Sequence, residues 1–291
     1  AGSVTGTMTA GVAVSGVTMT VYANVTTLGT YNITAGPTNG VTFSGSGTFT
    51  ALGCQAITLT ASGTPTAAGT HNYALGTTPS ETVSATTATA GPPSITSSTG
   101  KIWMDRNLGA SQVATSATDH LAYGSLYQWG RGNDGHANIN WTSATAGNPI
   151  NGTTTTLSTT DYPGNNLFIL LSASPYDWRA TRNDNLWQGV AGVNNPCPAG
   201  YRLPTLTEID AEVTQYSITN SATAFASPLK FTVPGYRSFS DGSLSLVGSY
   251  GYYWSSSVSG AYAGYRYFNS VDTYAGNNRR ANGFTVRCLK D

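Results

Sequence analysis

Between Ala1 and Pro92 the chain holds one charged side chain, Glu81, and no tryptophan. All six tryptophans, Trp103, Trp129, Trp141, Trp178, Trp187 and Trp254, and 14 of the 17 tyrosines lie beyond residue 100. A break this abrupt marks a domain boundary, and 291 residues suffice for two domains that each bury a core. The joint is expected in Ala85–Thr99, a run of Thr, Ala and Ser around Gly91-Pro92-Pro93, giving domains of 1–92 and 93–291.

The first domain reads as short strands. Val17, Met19 and Val21 alternate with Thr18, Thr20 and Tyr22, and Ile57 and Leu59 alternate with Thr58 and Thr60. Further strands are expected at Val12–Val14, Tyr31–Ile33, Val41–Phe43, Thr70–Leu75 and Thr82–Thr86. Turns are expected at Gly36-Pro37, Asn39-Gly40, Gly45-Ser46-Gly47 and Gly63-Thr64-Pro65. Short strands without helical period argue for an all-β immunoglobulin-like sandwich. The stretches Asn39–Phe49 and Ile57–Gly69 also resemble modules repeated in surface proteins of Bacteroidetes. Cys54 precedes the Ile57/Leu59 strand out of phase with its core face; the expectation is a bulge that buries an inert thiol, the alternative an intermolecular disulfide.

Edge strands of soluble monomers are usually guarded by lysine, other charges, proline or bulges. This domain has no lysine or arginine. Its Thr- and Val-rich strands are therefore expected to pair between copies of the chain. The segment Ala1–Gly11 and the apolar residues Val4, Met8, Val12 and Val14 are the expected assembly strand. The alternative is a spacer whose edges are covered by turns and twist.

Charged residues are 9% of the chain, 13 basic against 13 acidic, where globular proteins average about 25%. Without a basic patch, nucleic acid and membrane-surface partners are set aside. No run approaches the roughly 18 apolar residues of a membrane span. The opening Ala1-Gly2-Ser3 has neither the basic nor the apolar region of an export signal, and the reading is of a surface or extracellular protein whose signal has been removed, the alternative being a piece of a longer chain.

Beyond residue 95 five blocks stand out: Lys101–Ala110 (KIWMDRNLGA), Tyr123–Arg131 (YGSLYQWGR), Asn195–Thr205 (NPCPAGYRLPT), Tyr250–Ser257 (YGYYWSSS) and Gly283–Cys288 (GFTVRC). The three prolines of the third fix a rigid turn. Thr205 and Glu208 then have capping-box spacing, and Leu206, Ile209, Val213 and Tyr216 repeat at helical intervals, predicting a helix over Thr205–Tyr216. A second short helix is expected at Asp119–Trp129 and aromatic strands beyond Phe231, while Arg131–Ser174 is a long polar stretch rich in Asn, Gly and Thr. In this order the blocks resemble the Fibrobacter succinogenes major paralogous domain, over residues 95–291. The resemblance implies an α+β fold related to C-type lectin-like domains and to the formylglycine-generating enzymes. It also brings Cys197 and Cys288 near each other; in an exported protein a disulfide is expected, the alternative being two buried thiols.

No catalytic constellation is expected. The formylglycine-generating relatives use a close pair of reactive cysteines near the C-terminal end, where this chain has Cys288 alone. His71, His120 and His136 are isolated, and neither C-x-x-C nor H-E-x-x-H occurs, so no metal or cofactor is expected. The calcium loops of sugar-binding C-type lectins are missing; Asn133-Asp134-Gly135 and Asn183-Asp184-Asn185 read as Asx turns. Arg279-Arg280 reads as a solvated loop. The remaining functional signal is aromatic: Tyr250, Tyr252, Tyr253, Trp254, Tyr262, Tyr265 and Tyr267 fall within eighteen residues. Tyr250, Tyr262, Tyr265 and Tyr267 are the candidate contacts for a partner or sugar ring, against the alternative that alternate rings fill the core. The sequence therefore points to a non-enzymatic structural protein of a bacterial surface, either a filament subunit or an adhesin module. The rival is a carbohydrate-binding module that uses the aromatic cluster on surface glycans.

Overall fold

Strands that alternate apolar and hydroxyl side chains can bury surface only by stacking sheets on a shared apolar face. The computed structural model describes residues 2–76, 81–88, 90–174 and 176–291. Ala1, in the expected assembly segment, and Thr89, in the expected joint, lie outside the described residues. The chain separates into two compact units, Ala1–Gly91 and Pro92–Asp291. It is mostly β, with several antiparallel sheets, one of them curled into a half-barrel, and two short helices.

Unit 1 contains β1 (Ser3–Thr5), β2 (Met8–Thr9), β3 (Thr18–Val25), β4 (Gly29–Thr38), β5 (Val41–Phe49), β6 (Gly53–Gly63), β7 (Gly69–Ala74) and β8 (Thr82–Ala88). They form one sheet ordered β1-β3-β6-β5-β4 and a second ordered β2-β8-β7. Met19 lies opposite Leu59 and Val21 opposite Ile57 across β3 and β6. These side chains share a buried core with Phe43, Tyr73, Val83 and Ala85. Asn39 (φ 50°) and Gly40 (φ 73°) turn β4 into β5 in the left-handed geometry of an Asn-Gly hairpin. A Cβ on Gly40 would lie 2.3 Å from the Thr64 carbonyl oxygen.

Five expectations for this unit are corrected. Val12–Val14 is turn and irregular chain; the regular strand begins at Thr18. Gly45-Ser46-Gly47 lies inside β5, where a Cβ on Gly45 would press on Leu59 and one on Gly47 on the Tyr31 ring, so these glycines admit close packing instead of turning the chain. Gly36-Pro37, a cis bond, lies within β4 at a register shift. Cys54 is exposed: β6 pairs with β3 without a bulge from Gly53 to Thr60, so Cys54 stays on the face opposite Ile57 and Leu59. Part of the expected joint, Ala85–Ala88, is strand.

Unit 2 begins with β9 (Ser94–Thr96) and β10 (Ile102–Met104), then β11 (Leu126–Gln128), β12 (Ile139–Ser143), β13 (Ala146–Pro149), β14 (Thr153–Thr154), β15 (Phe168–Ile169) and β16 (Tyr201–Arg202). The helices α1 (Leu206–Gln215) and α2 (Ser221–Ala226) follow. It closes with β17 (Tyr236–Arg237), β18 (Leu244–Ser245), β19 (Gly251–Ser259), β20 (Tyr262–Phe268), β21 (Thr273–Arg279), β22 (Gly283–Thr285) and β23 (Leu289–Lys290). The main sheet runs β18-β17-β22-β19-β20-β21, with β11 also on β22. Along β19 the side chains serve two cores. Trp254 packs with Trp129, Trp187, Tyr265 and Phe284, and Tyr253 packs with Phe231, Phe268 and the α1 residues Ile209 and Val213.

The α1 capping box is formed as the spacing predicts: Thr205 Oγ1 accepts the Glu208 N–H, and Glu208 accepts the Thr205 N–H. Burial alone would raise the Glu208 carboxyl, but the Arg202 guanidinium and the Thr205 N–H hold it at about 2. The helix expected at Asp119–Trp129 is instead a 3-10 turn, His120–Ala122, capped by Asp119. Gly124, at φ 73°, ends it, and residues 126–128 are buried on both faces, as a central strand requires. Cys197 and Cys288 form a disulfide across 91 residues, with Cα atoms 5.8 Å apart.

Removing that bond in a Cys197→Ala/Cys288→Ala variant is expected to destabilise unit 2 by about 4 kcal/mol. In urea the unit 2 transition should move to lower concentration while that of unit 1 stays in place. An unmoved unit 2 transition would show that the bond constrains nothing.

Candidate functional site

Strand register gathers the tyrosines. Tyr252 lies opposite Tyr267 and Trp254 opposite Tyr265 across β19 and β20, and Tyr267 lies opposite Tyr274 across β20 and β21. Alternation places these rings on one face of the main sheet. Tyr250 stacks on Tyr252 at 5.7 Å, Tyr252 stacks on Phe284 at 4.9 Å, and Tyr236 meets Tyr252 edge-on at 5.3 Å. Burial, then the neighbouring Tyr265, raises the Tyr252 hydroxyl well above its ordinary value, so it stays protonated as a hydrogen-bond donor.

At one end of this face lies a pocket of about 320 Å³. Tyr236, Tyr252 and Phe284 supply its aromatic surface, and Asn278, Asn282 and Arg279 its polar wall. The Asn282 side chain donates to Asn278 Oδ1 (2.9 Å) and accepts the Phe239 N–H (3.2 Å), fixing that wall. The Arg279 guanidinium lies over two rings, Tyr176 at 4.5 Å and Phe239 at 4.6 Å.

A larger cleft, about 590 Å³, runs between Asn133-Asp134 and Asp161–Asn166. Its carboxylates are engaged. Asp134 binds Arg131 at 2.6 Å and His136 Nδ1 at 2.5 Å, and Asp161 binds Arg179 at 3.0 Å. His136 Nε2 accepts the Gln128 N–H (3.0 Å), which places the proton of the neutral ring on Nδ1. Burial drives the His136 pKa down to about 4 against the pull of Asp134. Among the described residues no group of three or more His, Cys, Asp or Glu is arranged to hold a metal ion.

In unit 1 the candidate feature is an open edge. Among the described residues β4, ten residues long, pairs only with β5, and β7 only with β8. Neither carries a charged residue. Between them opens a groove of about 760 Å³ lined by Val21, Ala23, Ile33, Ile57 and Leu75.

The candidate residues distribute unevenly over these features. Val4, Met8, Val12 and Val14 do not form one strand: Val4 pairs with Met19, Met8 pairs with Thr87 and is buried in the core, Val12 is exposed in a turn, and Val14 is half-buried in irregular chain. The terminal segment is thus held by its own unit, crossing from the first sheet to the second. Of the tyrosines, Tyr250 and Tyr267 belong to the aromatic face and are partly accessible. Tyr265 is buried, at 8% exposure, against Tyr252 and Phe284. Tyr262 is exposed but lies apart, stacked with Tyr176 at 6.3 Å. Arg279-Arg280 is not a solvated loop. Arg280 is wholly buried over Trp129 and pairs with Asp177 and Asp184. Tyr236, Asn278, Arg279 and Asn282 were not singled out as contacts; the alternation that puts Asn278 on the Tyr274 face was readable, but the approach of Tyr236 was not.

Comparison with protein-family models, with curated proteins and with solved structures found no match for this chain.

The His136 environment sets a pH dependence. An unfolded histidine titrates near pH ~6.5, the folded one at about 4. As pH falls below the unfolded value the unfolded chain takes up a proton that the folded ring refuses, so unit 2 loses stability on acidification and regains it as pH rises. Urea midpoints should fall between roughly pH 6.5 and pH 5, above the ordinary carboxylate range; Asp177, which burial raises to about 6, opposes the fall, and His136→Gln should remove it. An equal fall in both proteins would contradict this assignment.

Proposed function

We propose that the chain is a non-enzymatic extracellular protein of a bacterial surface, with a self-associating immunoglobulin-like sandwich in unit 1 and a C-type lectin-like domain in unit 2. The strand order supports the sandwich. β1, β3, β6 and β5 correspond to strands A, B, E and D of an immunoglobulin sheet, and β7 and β8 to F and G. In that arrangement the third strand covers F; here β4 lies on β5 instead and leaves β7 open. The lectin-like reading draws on the five blocks that resemble the Fibrobacter succinogenes major paralogous domain. All five contribute to a single buried cluster, through Leu108, Trp129, Leu203, Trp254, Phe284 and Cys288. An extracellular setting fits the Cys197–Cys288 disulfide, which persists where thiols are oxidised. Among the described residues no helix is long and apolar enough to cross a membrane.

The observation that carries self-association is the uncharged edge of β4 over its regular part, Gly29–Ala35, before the register shift at Pro37, together with the edge of β7, both unpaired among the described residues. A strand from a second copy would gain main-chain hydrogen bonds there without burying a charge. Because β1 and β2 are paired within their own unit, these edges, and not Val4–Val14, are the surfaces open to another chain.

A second reading has its own observation. The pocket bounded by Tyr236, Tyr252, Phe284, Asn278 and Asn282 joins flat aromatic surface to fixed amide groups, the combination that holds a sugar ring. Adhesion through unit 2 and assembly through unit 1 are compatible in one surface protein.

Sedimentation and electron microscopy test the first reading. The protein is expected to form species larger than a monomer, and Asn32→Lys/Thr34→Lys, at two exposed positions of β4, to return it to monomer. A protein that stays monomeric at all concentrations, with or without the lysines, would overturn edge-to-edge assembly.

A further inference from the structure

Unit 2 contains all ten arginines of the chain, and their partners differ in one telling way. Of those that reach solvent, Arg106, Arg179, Arg182, Arg202 and Arg266 each pair with a carboxylate. Arg279 reaches solvent and, among the described residues, pairs with none. Its guanidinium carbon lies 4.5 Å from the centre of the Tyr176 ring and 4.6 Å from that of Phe239, two rings set at 84° to each other. A guanidinium with a ring over its face keeps N–H groups on its edge that can fork a carboxylate. Arg279 lines the same pocket as Tyr236, Tyr252, Phe284, Asn278 and Asn282.

Backbone geometry marks the same place. Five non-glycine residues of the described chain have φ between 50° and 61°, and two of them border this pocket or its arginine. Tyr176 (φ 61°) carries a ring that supports Arg279, and Leu246 (φ 57°), exposed, forms part of the pocket wall. For side chains of this bulk the left-handed region costs on the order of 1 kcal/mol or more, and such residues concentrate at binding sites.

From these observations we propose that the pocket takes an acidic sugar, a pyranose bearing a carboxylate such as a uronic acid. The apolar face of the ring packs into the corner that Tyr236 and Tyr252 form at 75° to each other, its hydroxyls reach Asn278 and Asn282, and its carboxylate is forked by Arg279. The inference rests on the carbohydrate-binding reading and names the class of sugar. A neutral hexose would leave the guanidinium edge without its counter-charge. A carboxylate without a ring would leave the aromatic surface uncovered.

Methyl β-glucuronide and methyl β-glucoside share one ring and differ in a carboxylate against a hydroxymethyl group, so together they isolate the role of Arg279. Titration of the intact protein by calorimetry and ligand-observed NMR is expected to show the glucuronide binding at least about tenfold more tightly, an advantage weakened by added salt. Arg279→Gln should abolish that advantage and leave glucoside binding within about twofold, with Arg279→Lys between the two because it keeps the charge but not the fork. Equal binding of both glycosides, unmoved by Arg279→Gln, would overturn the acidic-sugar inference while leaving a sugar site standing. Failure of both to bind would overturn the sugar site as well.

Discussion

Loops buried inside a domain carry backbone carbonyls that must find donors, and in unit 2 four buried arginines supply them. Arg237 donates to the carbonyls of Gly242, His136 and Asn151 at 3.0–3.1 Å. Arg287 reaches Leu229 and Met104, Arg131 reaches Leu167 and Asn165, and Arg280 reaches Asn183 and Gly260. Each guanidinium ties together segments far apart in sequence, and Arg131, Arg237, Arg280 and Arg287 each also lie over an aromatic ring. Arg131 and Arg280 have carboxylate partners; among the described residues Arg237 and Arg287 have none within the ion-pair distance. Burial accordingly pulls the Arg237 and Arg287 pKa values down to about 10 while leaving both cationic at neutral pH. The hydrogen bonds of these two cations to buried carbonyls, which would otherwise be left without donors, offset the cost of desolvating the charge.

The tryptophans follow the same logic. Five are fully buried, and every indole N–H in unit 2 finds an acceptor: Glu212 for Trp103, and the carbonyls of Ser255, Gly124, Trp129, Asn194 and Tyr127 for Trp129, Trp141, Trp178, Trp187 and Trp254. The abrupt appearance of tryptophan beyond residue 100 therefore reports a change in how cores are built. Unit 1 packs alternating aliphatic residues between sheets. Unit 2 pins irregular chain with large side chains that each carry a donor.

What was legible in the sequence was local. The Asn39-Gly40 hairpin, the Thr205–Glu208 capping box and the alternation of β3 and β6 each follow from residues a few positions apart. The Asp119–Trp129 segment misled because its apolar spacing is compatible with a helix, while burial on both faces and the turn at Gly124 are tertiary facts. Gly45 and Gly47 misled because a glycine that admits a neighbouring side chain looks, in sequence, like one that turns the chain. The aromatic crowding around Tyr250–Tyr267 was visible, but not its division: Tyr265 packs into the core, Tyr262 sits apart, and Tyr236 arrives from another strand. Arg279 and Arg280, adjacent in sequence, separate completely, because β21 ends at Arg279 and the turn that follows carries Arg280 inward to Asp184. The buried arginine thus anchors the segment from which its neighbour is presented to the pocket.

The most direct test of this architecture is the stability of Arg237→Lys, measured by urea unfolding at neutral pH. Lysine keeps the charge but cannot reach three carbonyls in a plane, so at least two buried acceptors would be left unpaired. The arginine-stapled core predicts a loss of about 2 kcal/mol or more in the unit 2 transition, with unit 1 unmoved. A variant as stable as the parent would contradict it, since the positive charge alone would then suffice and the loops of unit 2 would have to be held by something else.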